Sequence, residues 1–279
     1  SLTNHGATRT DPYFWLRERE NPEVIAYLTA ENAYTEAVSA PLKPLEDALY
    51  NEIVGRIKQD DSSAPVFDRG YWYYSRFAEG ANYPVYARRQ GTMEAPEEIL
   101  LDANARGAGK AYYAVGDYEI SEDGRLMAWA EDTVGRRLYT IRFKDLRTGR
   151  ELPDVLYPAT PSLAWAHDGQ TLFFARQDIP TLRTYQIVRH TLGHAPAHDA
   201  VVWQEDDEEF SVYVGKSKSR RFLIASSDQT ETTETRFLDA DTPNGAWRIF
   251  RPRERGHEYG VEHAGDAWYV RSNQNGAAN

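Results

Sequence analysis

The stretch SEDGRLMAWAED, residues Ser121–Asp132, decides the fold because the chain repeats it. It combines an acidic-glycine turn, an apolar run and a polar end, and AHDGQTLFFARQD repeats this order at Ala166–Asp178. Three more copies begin at Asp68, Ser217 and Ala264. Successive turns lie 54, 45, 50 and 46 residues apart, counted between Gly70, Gly124, Gly169, Ser219 and Gly265. Repeats of about 40 to 50 residues with several strands each are typical of β-propeller blades.

Each copy is surrounded by further short strand patterns. In the second unit, YYAVGDYEIS precedes the turn, and RLYTIRFKDL and ELPDVLY follow the apolar run. The other units keep this order, which gives four strands per unit joined by short turns. We therefore predict a mainly β fold: a β-propeller with four blades and part of a fifth, preceded by an N-terminal α-helical segment. A generic β-sandwich is the alternative that the strand patterns leave open.

The residues before the first repeat have a helical pattern. Asn21 is placed to cap a helix that begins at Pro22. A second helix carries apolar residues at every fourth position, namely Leu45, Leu49, Ile53 and Ile57. QDDSSAP, Gln59–Pro65, is a polar, turn-rich hinge. We predict a helical segment over residues 1–62 and a partial propeller over residues 63–279.

Composition excludes several classes of function. The 279 residues carry a net charge of −11, which argues against binding to nucleic acid or to an anionic membrane surface. The chain has no cysteine, which excludes disulfides, thiolate zinc sites and cysteine nucleophiles. Neither a signal peptide nor an apolar run of membrane-spanning length is visible. We expect a soluble, cytoplasmic protein, unless a leader was removed before Ser1.

Three motifs suggest chemistry but have structural explanations. GKSKS, Gly215–Ser219, is close to the G-x-S-x-G nucleophile elbow, yet it occupies the place of a repeat turn and no helix follows. His190, His194 and His198 have the spacing of a zinc-binding helix face, but Gly193 and Pro196 interrupt it, so we expect no metal site. The acidic run EDDEE, residues 205–209, is expected to be solvated.

Several longer segments resemble a known family. DPYFWLRERENPEVIAYLTAENAYT, Asp11–Thr35, resembles the N-terminal signature of the prolyl oligopeptidase family of serine peptidases. EILLDAN, SRRFLIASSDQTETTETRFLDAD and HEYGVEHAGDAWYVRSNQNG are similar to the oligopeptidase B branch of that family. The resemblance covers essentially the whole chain.

The resemblance implies more than these residues contain. Family members join a seven-bladed propeller to a C-terminal α/β-hydrolase domain with a Ser-Asp-His triad, on which the N-terminal helices pack. The implied activity is hydrolysis of short peptides after Arg or Lys, with the propeller restricting entry. G-x-S-x-G is absent from the 279 residues, so no catalytic residue is carried over and no cofactor is implied. We expect oligopeptide substrates and the hydrolase domain as partners, and neither nucleic acid nor membrane.

We therefore expect the chain to be a piece of a longer enzyme and to be inactive alone. Two alternatives are a stand-alone propeller that binds other proteins and a natural, inactive truncated paralogue. Two residues remain candidates for a functional role, Arg136 and Arg137. They lie in the loop after the second repeat, EDTVGRRLYT. The resemblance implies that loops on one propeller face border the peptidase domain. Arg137, with Arg136, is therefore a candidate contact between domains or along the substrate path, and a solvated loop arginine is the simpler explanation.

Overall fold

A computed structural model describes residues 1–277 and divides the chain into two compact units, Ser1–Gln59 and Asp60–Asn279. The predicted division after residue 62 differs from this one by a few residues. The reason is local, because Ser62 already forms a β-bridge with Arg76 and the carbonyl of Asp61 accepts a hydrogen bond from Phe77 N–H. Gln59 is thus the last residue of the helical unit.

The first unit contains a short hairpin and two helices. Strands β1 (Leu2–Asn4) and β2 (Ala7–Arg9) pair across a two-residue turn in which His5 and Gly6 both have positive φ. Helix α1 (Pro22–Ser39) begins as predicted, with the Asn21 side chain accepting a hydrogen bond from Glu23 N–H. Helix α2 follows at Lys43–Arg56, and two 3-10 helices cover Phe14–Arg17 and Ala40–Leu42.

Both helices expose large apolar side chains. Leu45, Leu49, Ile53 and Ile57, the predicted stripe, are each about half exposed. The same holds for α1 residues that lie on more than one side of the helix, namely Ile25, Leu28, Tyr34 and Val38. Exposed large apolar side chains in this number are typical of an interaction site.

The second unit consists of antiparallel four-stranded blades, which confirms the predicted fold class. The strands of the first two blades are β3 (Val66–Asp68), β4 (Tyr71–Arg76), β5 (Val85–Gln90), β6 (Glu97–Asp102), β7 (Ala114–Ile120), β8 (Leu126–Asp132), β9 (Tyr139–Asp145) and β10 (Arg150–Trp165). A short helix α3 (Ala103–Gly107) connects them. The later strands are β11 (Thr171–Gln177), β12 (Thr184–Thr191), β13 (Ala200–Gln204), β14 (Ser211–Lys216), β15 (Phe222–Gln229), β16 (Thr232–Asp239), β17 (Arg248–Arg251), β18 (Tyr259–Ala264) and β19 (Ala267–Ser272). The remaining 3-10 helices are Pro196–His198 and Gln274–Gly276.

Strand β10 belongs to two blades. Its first part pairs with β9 as the outer strand of the second blade, and from Ala159 to Trp165 it pairs with β11 as the inner strand of the third. The two blades therefore form one seven-stranded sheet. The fourth blade is β14–β17, and β18 and β19 begin the fifth. The two strands predicted for ELPDVLY and PSLAWA are thus a single strand.

The repeated turns share one hydrogen bond, which explains why the sequence repeats. Ser121, Ala166 and Ser217 each donate a backbone N–H to the carbonyl five residues later, at 2.9 Å in all three blades. The apolar runs after the second and third turns are the buried strands β8 and β11. Trp129, Trp165, Phe143 and Phe173 are among the largest fully buried side chains. Burying one such side chain contributes roughly 1.5 to 3 kcal/mol.

Strand direction alternates within each blade, so the connections separate onto two faces. The turns between the first and second strands lie on one face, which we call the inner-turn face. The loops between the second and third strands, together with the connections from blade to blade, lie on the opposite face. Asp61 and Ser62 pair with Phe77 and Arg76 on this side, where the chain enters the unit, and we call it the linker face.

Candidate functional site

The candidate loop of the second blade, residues 133–138, lies on the linker face and is organised by one carboxylate. Asp132 ends strand β8 and is buried. Its Oδ1 accepts hydrogen bonds from the N–H groups of Val134 at 2.8 Å and Gly135 at 3.0 Å. Its Oδ2 accepts a third bond from Arg137 N–H at 2.7 Å. Asp132, at the acidic end of the repeated sequence, thus holds the backbone of the following loop in place.

The loop has an unusual backbone. Gly135 has φ +81° and Arg137 has φ +59°, and the second value is costly for a residue with a side chain. A Cβ atom added at Gly135 would lie 3.3 Å from the ring of Tyr112, which packs against the loop. Backbone strain of this kind is frequent at functional sites. The Asp132 hydrogen bonds hold Arg137 in this conformation.

Arg136 and Arg137 project from the loop into solvent. Within residues 1–277, neither guanidinium group makes a hydrogen bond or an ion pair. A guanidinium group offers a planar set of donors that suits a carboxylate. The loop therefore presents two unpaired cations, side by side on a fixed backbone, on the linker face. Such a site can bind an anionic group, and it has no nucleophile.

A buried ionic cluster lies beside the loop, and little in the sequence indicated it. Glu131, the neighbour of Asp132, accepts hydrogen bonds from Arg106 at 2.8 Å, Arg142 at 2.5 Å, Trp129 at 3.1 Å and Tyr113 at 2.9 Å. Burial, the largest influence, raises the pKa of Glu131, but the Arg106 and Trp129 hydrogen bonds outweigh it and lower the pKa to about 2. In the sequence, the sign of this cluster was the acidic residue Glu131 in the apolar run LMAWAED. The cluster attaches the connection after the first blade to the second blade.

A second ionic cluster joins the blades on the inner-turn face. Glu122 accepts hydrogen bonds from Arg220 Nη2 at 2.8 Å and from Lys216 Nζ at 3.1 Å, while Arg69 and His167 lie 3.9 and 3.8 Å away. Burial raises the pKa of Glu122, and hydrogen bonds from Arg220 and then Lys216 bring it down to about 2. Arg220 contacts Glu122 through both Nε and Nη2, whereas Lys216 donates one hydrogen bond, and burial lowers the pKa of Lys216. The side chains of this cluster come from the inner turns of four blades.

The serine motif does not form a hydrolytic site. Ser217 lies in an inner turn, where its Oγ accepts a hydrogen bond from Phe222 N–H. The nearby Ser219 Oγ is 2.7 Å from Nδ1 of His263, whose ring packs against Phe222. No carboxylate in the described part of the chain hydrogen-bonds the other nitrogen of His263, so this pair lacks the third member of a catalytic triad.

In the structure, the three histidines and the acidic run are not arranged as their sequence patterns suggested. His190 is buried on β12, whereas His194 and His198 lie exposed in the turn beyond it. The prediction that the acidic run is solvated is wrong for Glu205, which is buried and bonded to Arg253 and to Ser227 Oγ, both at 2.5 Å. Residues 1–277 hold no group of three or more His, Asp or Glu side chains placed for a metal ion. None of the helices in this range combines the length and the apolar composition of a membrane-spanning helix.

Comparison with known proteins gives consistent matches along the whole chain. The model of a family described as "Prolyl oligopeptidase, N-terminal beta-propeller domain" matches residues 1–279. The chain is 50% identical to dipeptidyl aminopeptidase BI of Pseudoxanthomonas mexicana over 99% of its length and 40% of that protein. It is 33% identical to protease 2 of Moraxella lacunata over 99% of its length and 41% of that protein.

Solved structures agree with these sequence matches. Oligopeptidase B from Leishmania major superposes with a TM-score of 0.89 and 32% identity, over 96% of this chain and 39% of that one. Oligopeptidase B from Trypanosoma brucei superposes with a TM-score of 0.86 and 31% identity, over 96% and 38%. The chain therefore spans about two fifths of the length of the relatives that it matches.

Proposed function

The chain belongs to the prolyl oligopeptidase family, and we propose that it is the non-catalytic N-terminal part of an oligopeptidase-B-like serine peptidase. In this proposal, a C-terminal α/β-hydrolase domain cleaves short peptides after Arg or Lys, and the propeller limits which peptides reach it. The single observation that carries the proposal is the superposition on oligopeptidase B over 96% of this chain but 39% of that protein. The rest of that protein lies outside the match.

The exposed apolar residues of α1 and α2 support a scaffolding role. Leu45, Leu49 and Ile53 are each about half exposed, although burial of such side chains is favourable by roughly 1.5 to 3 kcal/mol each. We propose that the hydrolase domain covers them. Replacing Leu49 and Ile53 together by Ser in the longer protein would then weaken the association of the domains, seen as separate melting transitions.

Arg136 and Arg137 are proposed to meet an anionic group of the hydrolase domain or of a passing peptide. Their guanidinium groups are unpaired and their loop is fixed by Asp132. Arg137→Glu in the longer enzyme should lower kcat/KM on Arg peptides about tenfold, or about 1.4 kcal/mol. Arg125→Glu, an equally drastic change at an exposed arginine on the inner-turn side, is the matched control. Unchanged kinetics for Arg137→Glu would remove this role.

Substrate preference is tested directly with fluorogenic peptides that carry Arg, Lys, Ala or Pro before the cleaved bond. We expect Arg and Lys peptides to be cleaved fastest, and sensitivity to serine-directed inhibitors. Equal rates on all four peptides would contradict the proposed specificity.

A second candidate activity comes from the relative named dipeptidyl aminopeptidase, which is 50% identical to this chain. That name favours release of dipeptides from a free amino terminus. A peptide with an acetylated amino terminus separates the two activities, because an endopeptidase cleaves it and an aminopeptidase does not. A stand-alone interaction module is distinguished from both by the intact mass of the protein in its source.

A further inference from the structure

Two Asn-Gly pairs occur in the chain, Asn244–Gly245 and Asn275–Gly276. Such a pair can form a cyclic imide, because glycine has no Cβ atom to keep its backbone nitrogen away from the preceding side-chain amide. Both asparagines are exposed, so neither the sequence nor the exposure distinguishes the two pairs. Their backbone surroundings differ, and this difference selects one of them.

The first pair lies in a turn that its neighbours hold in place. Between β16 and β17, Gly245 N–H donates a hydrogen bond to the Thr242 carbonyl at 2.8 Å. A Cβ atom added at Gly245 would lie 3.0 Å from that carbonyl oxygen, so the glycine is closely surrounded. The carbonyl of Pro243 accepts a hydrogen bond from Arg189 of the third blade at 3.1 Å. The nitrogen of Gly245 is therefore both bonded and confined.

The second pair lies in a turn that is more open. Gln274 is held by its side chain, whose Oε1 accepts a hydrogen bond from Arg251 at 3.1 Å. The hydrogen bond that closes the turn, from Ala277 N–H to the Gln274 carbonyl, is long at 3.4 Å. Asn275 has φ +60°, which is costly for a residue with a side chain. A Cβ atom added at Gly276 would meet nothing within 4 Å, so this glycine has room to move.

We propose that Asn275 is a site of spontaneous deamidation. The backbone nitrogen of Gly276 forms a bond to Cγ of Asn275, and the Cγ–Nδ2 bond breaks. The amide proton of Gly276 leaves with the Nδ2 group as ammonia. Water then opens the cyclic imide at one of its two carbonyl carbons, which gives an aspartate or an isoaspartate residue. The reaction consumes water and no other reactant, and it adds one negative charge at neutral pH.

The backbone decides which pair reacts. Attack requires rotation of the asparagine backbone, because the planar peptide group must turn its nitrogen towards the side chain. In the Asn244 turn, this rotation breaks the hydrogen bond of Gly245 within a confined space. In the Asn275 turn, the rotation leaves an unfavourable backbone conformation and meets open space. The barrier is therefore higher at Asn244.

The reaction changes the charge of the linker face. Residues 273–277 follow β19, the second strand of the fifth blade, and therefore lie on that face. Residues 133–138, with Arg136 and Arg137, follow the corresponding strand of the second blade. Deamidation thus adds a carboxylate to the face that carries these two arginines. The inference does not depend on a hydrolase domain, because the reacting atoms belong to Asn275, Gly276 and water.

The test is peptide mapping by mass spectrometry of the intact protein, kept folded at about pH 8 and sampled over time. Deamidation raises the mass of a peptide by about 1 Da. We expect Asn275 to react about tenfold faster than Asn244, which is the matched control in the same sample. In urea, where the turns are lost, the two rates should agree within about twofold. Equal rates in the folded protein, or a faster reaction at Asn244, would overturn the inference.

Two variants identify the origin of the new charge. Asn275→Gln should abolish the modification at this position and leave the rate at Asn244 unchanged, because glutamine would have to form a larger ring. Arg189→Ala should raise the rate at Asn244, because the Pro243 carbonyl loses its donor. Acidic forms are followed by ion-exchange chromatography, with Asn275→Asp as the reference. Acidic forms that accumulate as fast in Asn275→Gln as in the parent would contradict the inference.

Discussion

At the scale of single residues, Glu131 and Asp132 are adjacent, but their carboxylates bind different kinds of groups. Asp132 pairs three backbone N–H groups of the loop after it, and Glu131 pairs four side chains of three elements and their connections. The sequence predicted only that both residues end a buried strand. It also predicted Arg136 and Arg137 as candidate contacts, which stays a prediction. The support of their loop could not be predicted, because it depends on where the side chain of Asp132 points.

The loop offers a prediction about Asp132. Asp132→Ala should raise hydrogen exchange at the Val134, Gly135 and Arg137 amides and cost roughly 1 to 3 kcal/mol, because a buried set of acceptors is lost. Asp145→Ala is the control, since Asp145 accepts from Thr148 N–H in an exposed turn. In the longer enzyme, Asp132→Ala should reproduce the kinetic effect of Arg137→Glu. Unaltered exchange at the three amides would show that the loop is held by other contacts.

Glu131 gives the protein a specific sensitivity to acid. Its folded pKa of about 2 is below the ordinary value of 4.5, so its contribution is complete above pH 4.5 and is lost as the pH falls towards 2. The contribution is on the order of 2 kcal/mol, after allowance for solvent screening of its arginine partners. Glu131→Gln should therefore be less stable at pH 7 and nearly equal to the parent at pH 2.5.

The measurement is denaturant unfolding followed by tryptophan fluorescence at each pH. Glu231→Gln, at an exposed position, should follow the parent throughout. A constant difference between Glu131→Gln and the parent from pH 7 to 2.5 would contradict the prediction.

At the scale of elements, the strands and turns of the repeat were predictable, and the elements that were not predicted have identifiable causes. The inner turns and the strands after them follow from the repeat. ELPDVLY and PSLAWA were predicted as two strands but form the single strand β10. This strand contains Pro153, Pro158 and Pro161, and register shifts along it accommodate these residues, which cannot donate a backbone hydrogen bond. Helix α3 has five residues, too few for a helical period, and Asp102 caps it.

Close packing of the inner strands predicts a contrast between two glycines. A Cβ atom at Gly116 of β7 would lie 2.5 Å from the Tyr139 ring and 2.7 Å from Pro161, whereas one at Gly215 of β14 would meet nothing within 4 Å. Gly116→Ala should cost about 1 to 3 kcal/mol and Gly215→Ala less than about 0.5 kcal/mol. Urea midpoints of the two variants provide the measurement. Equal midpoints would mean that the second and third blades separate easily at this point.

At the scale of the whole molecule, the sequence predicted the blades but not the ionic contacts between them. Glu122 and Arg220 are 98 positions apart, and their pairing requires the inner turns of the second and fourth blades to converge. Repeat spacing places each turn in its own blade and says nothing about which charges meet. Such a cluster restrains the blades relative to one another, because separation would break the ion pairs of these partly buried side chains.

Removing the central carboxylate tests that restraint. Glu122→Gln removes the hydrogen-bonded counter-charge of Arg220 and of the nearly buried Lys216, and leaves Arg220 with Asp68 at 3.7 Å. We expect a loss of roughly 1 to 3 kcal/mol. Arg221→Gln, which changes a neighbouring arginine that is 59% exposed, should cost less than about 0.5 kcal/mol. Urea unfolding measures both. A midpoint of Glu122→Gln equal to that of Arg221→Gln would argue against a role in holding the blades together.

We propose that this chain is part of a longer peptidase and supports its catalysis without performing it. The most direct test compares the 279-residue chain with the longer protein that carries it, using a fluorogenic Arg peptide and a serine-reactive fluorophosphonate probe. We predict that the longer protein hydrolyses the peptide and is labelled by the probe, and that the 279-residue chain does neither. Peptide turnover by the 279-residue chain alone, at a rate above a heat-denatured control, would contradict the account.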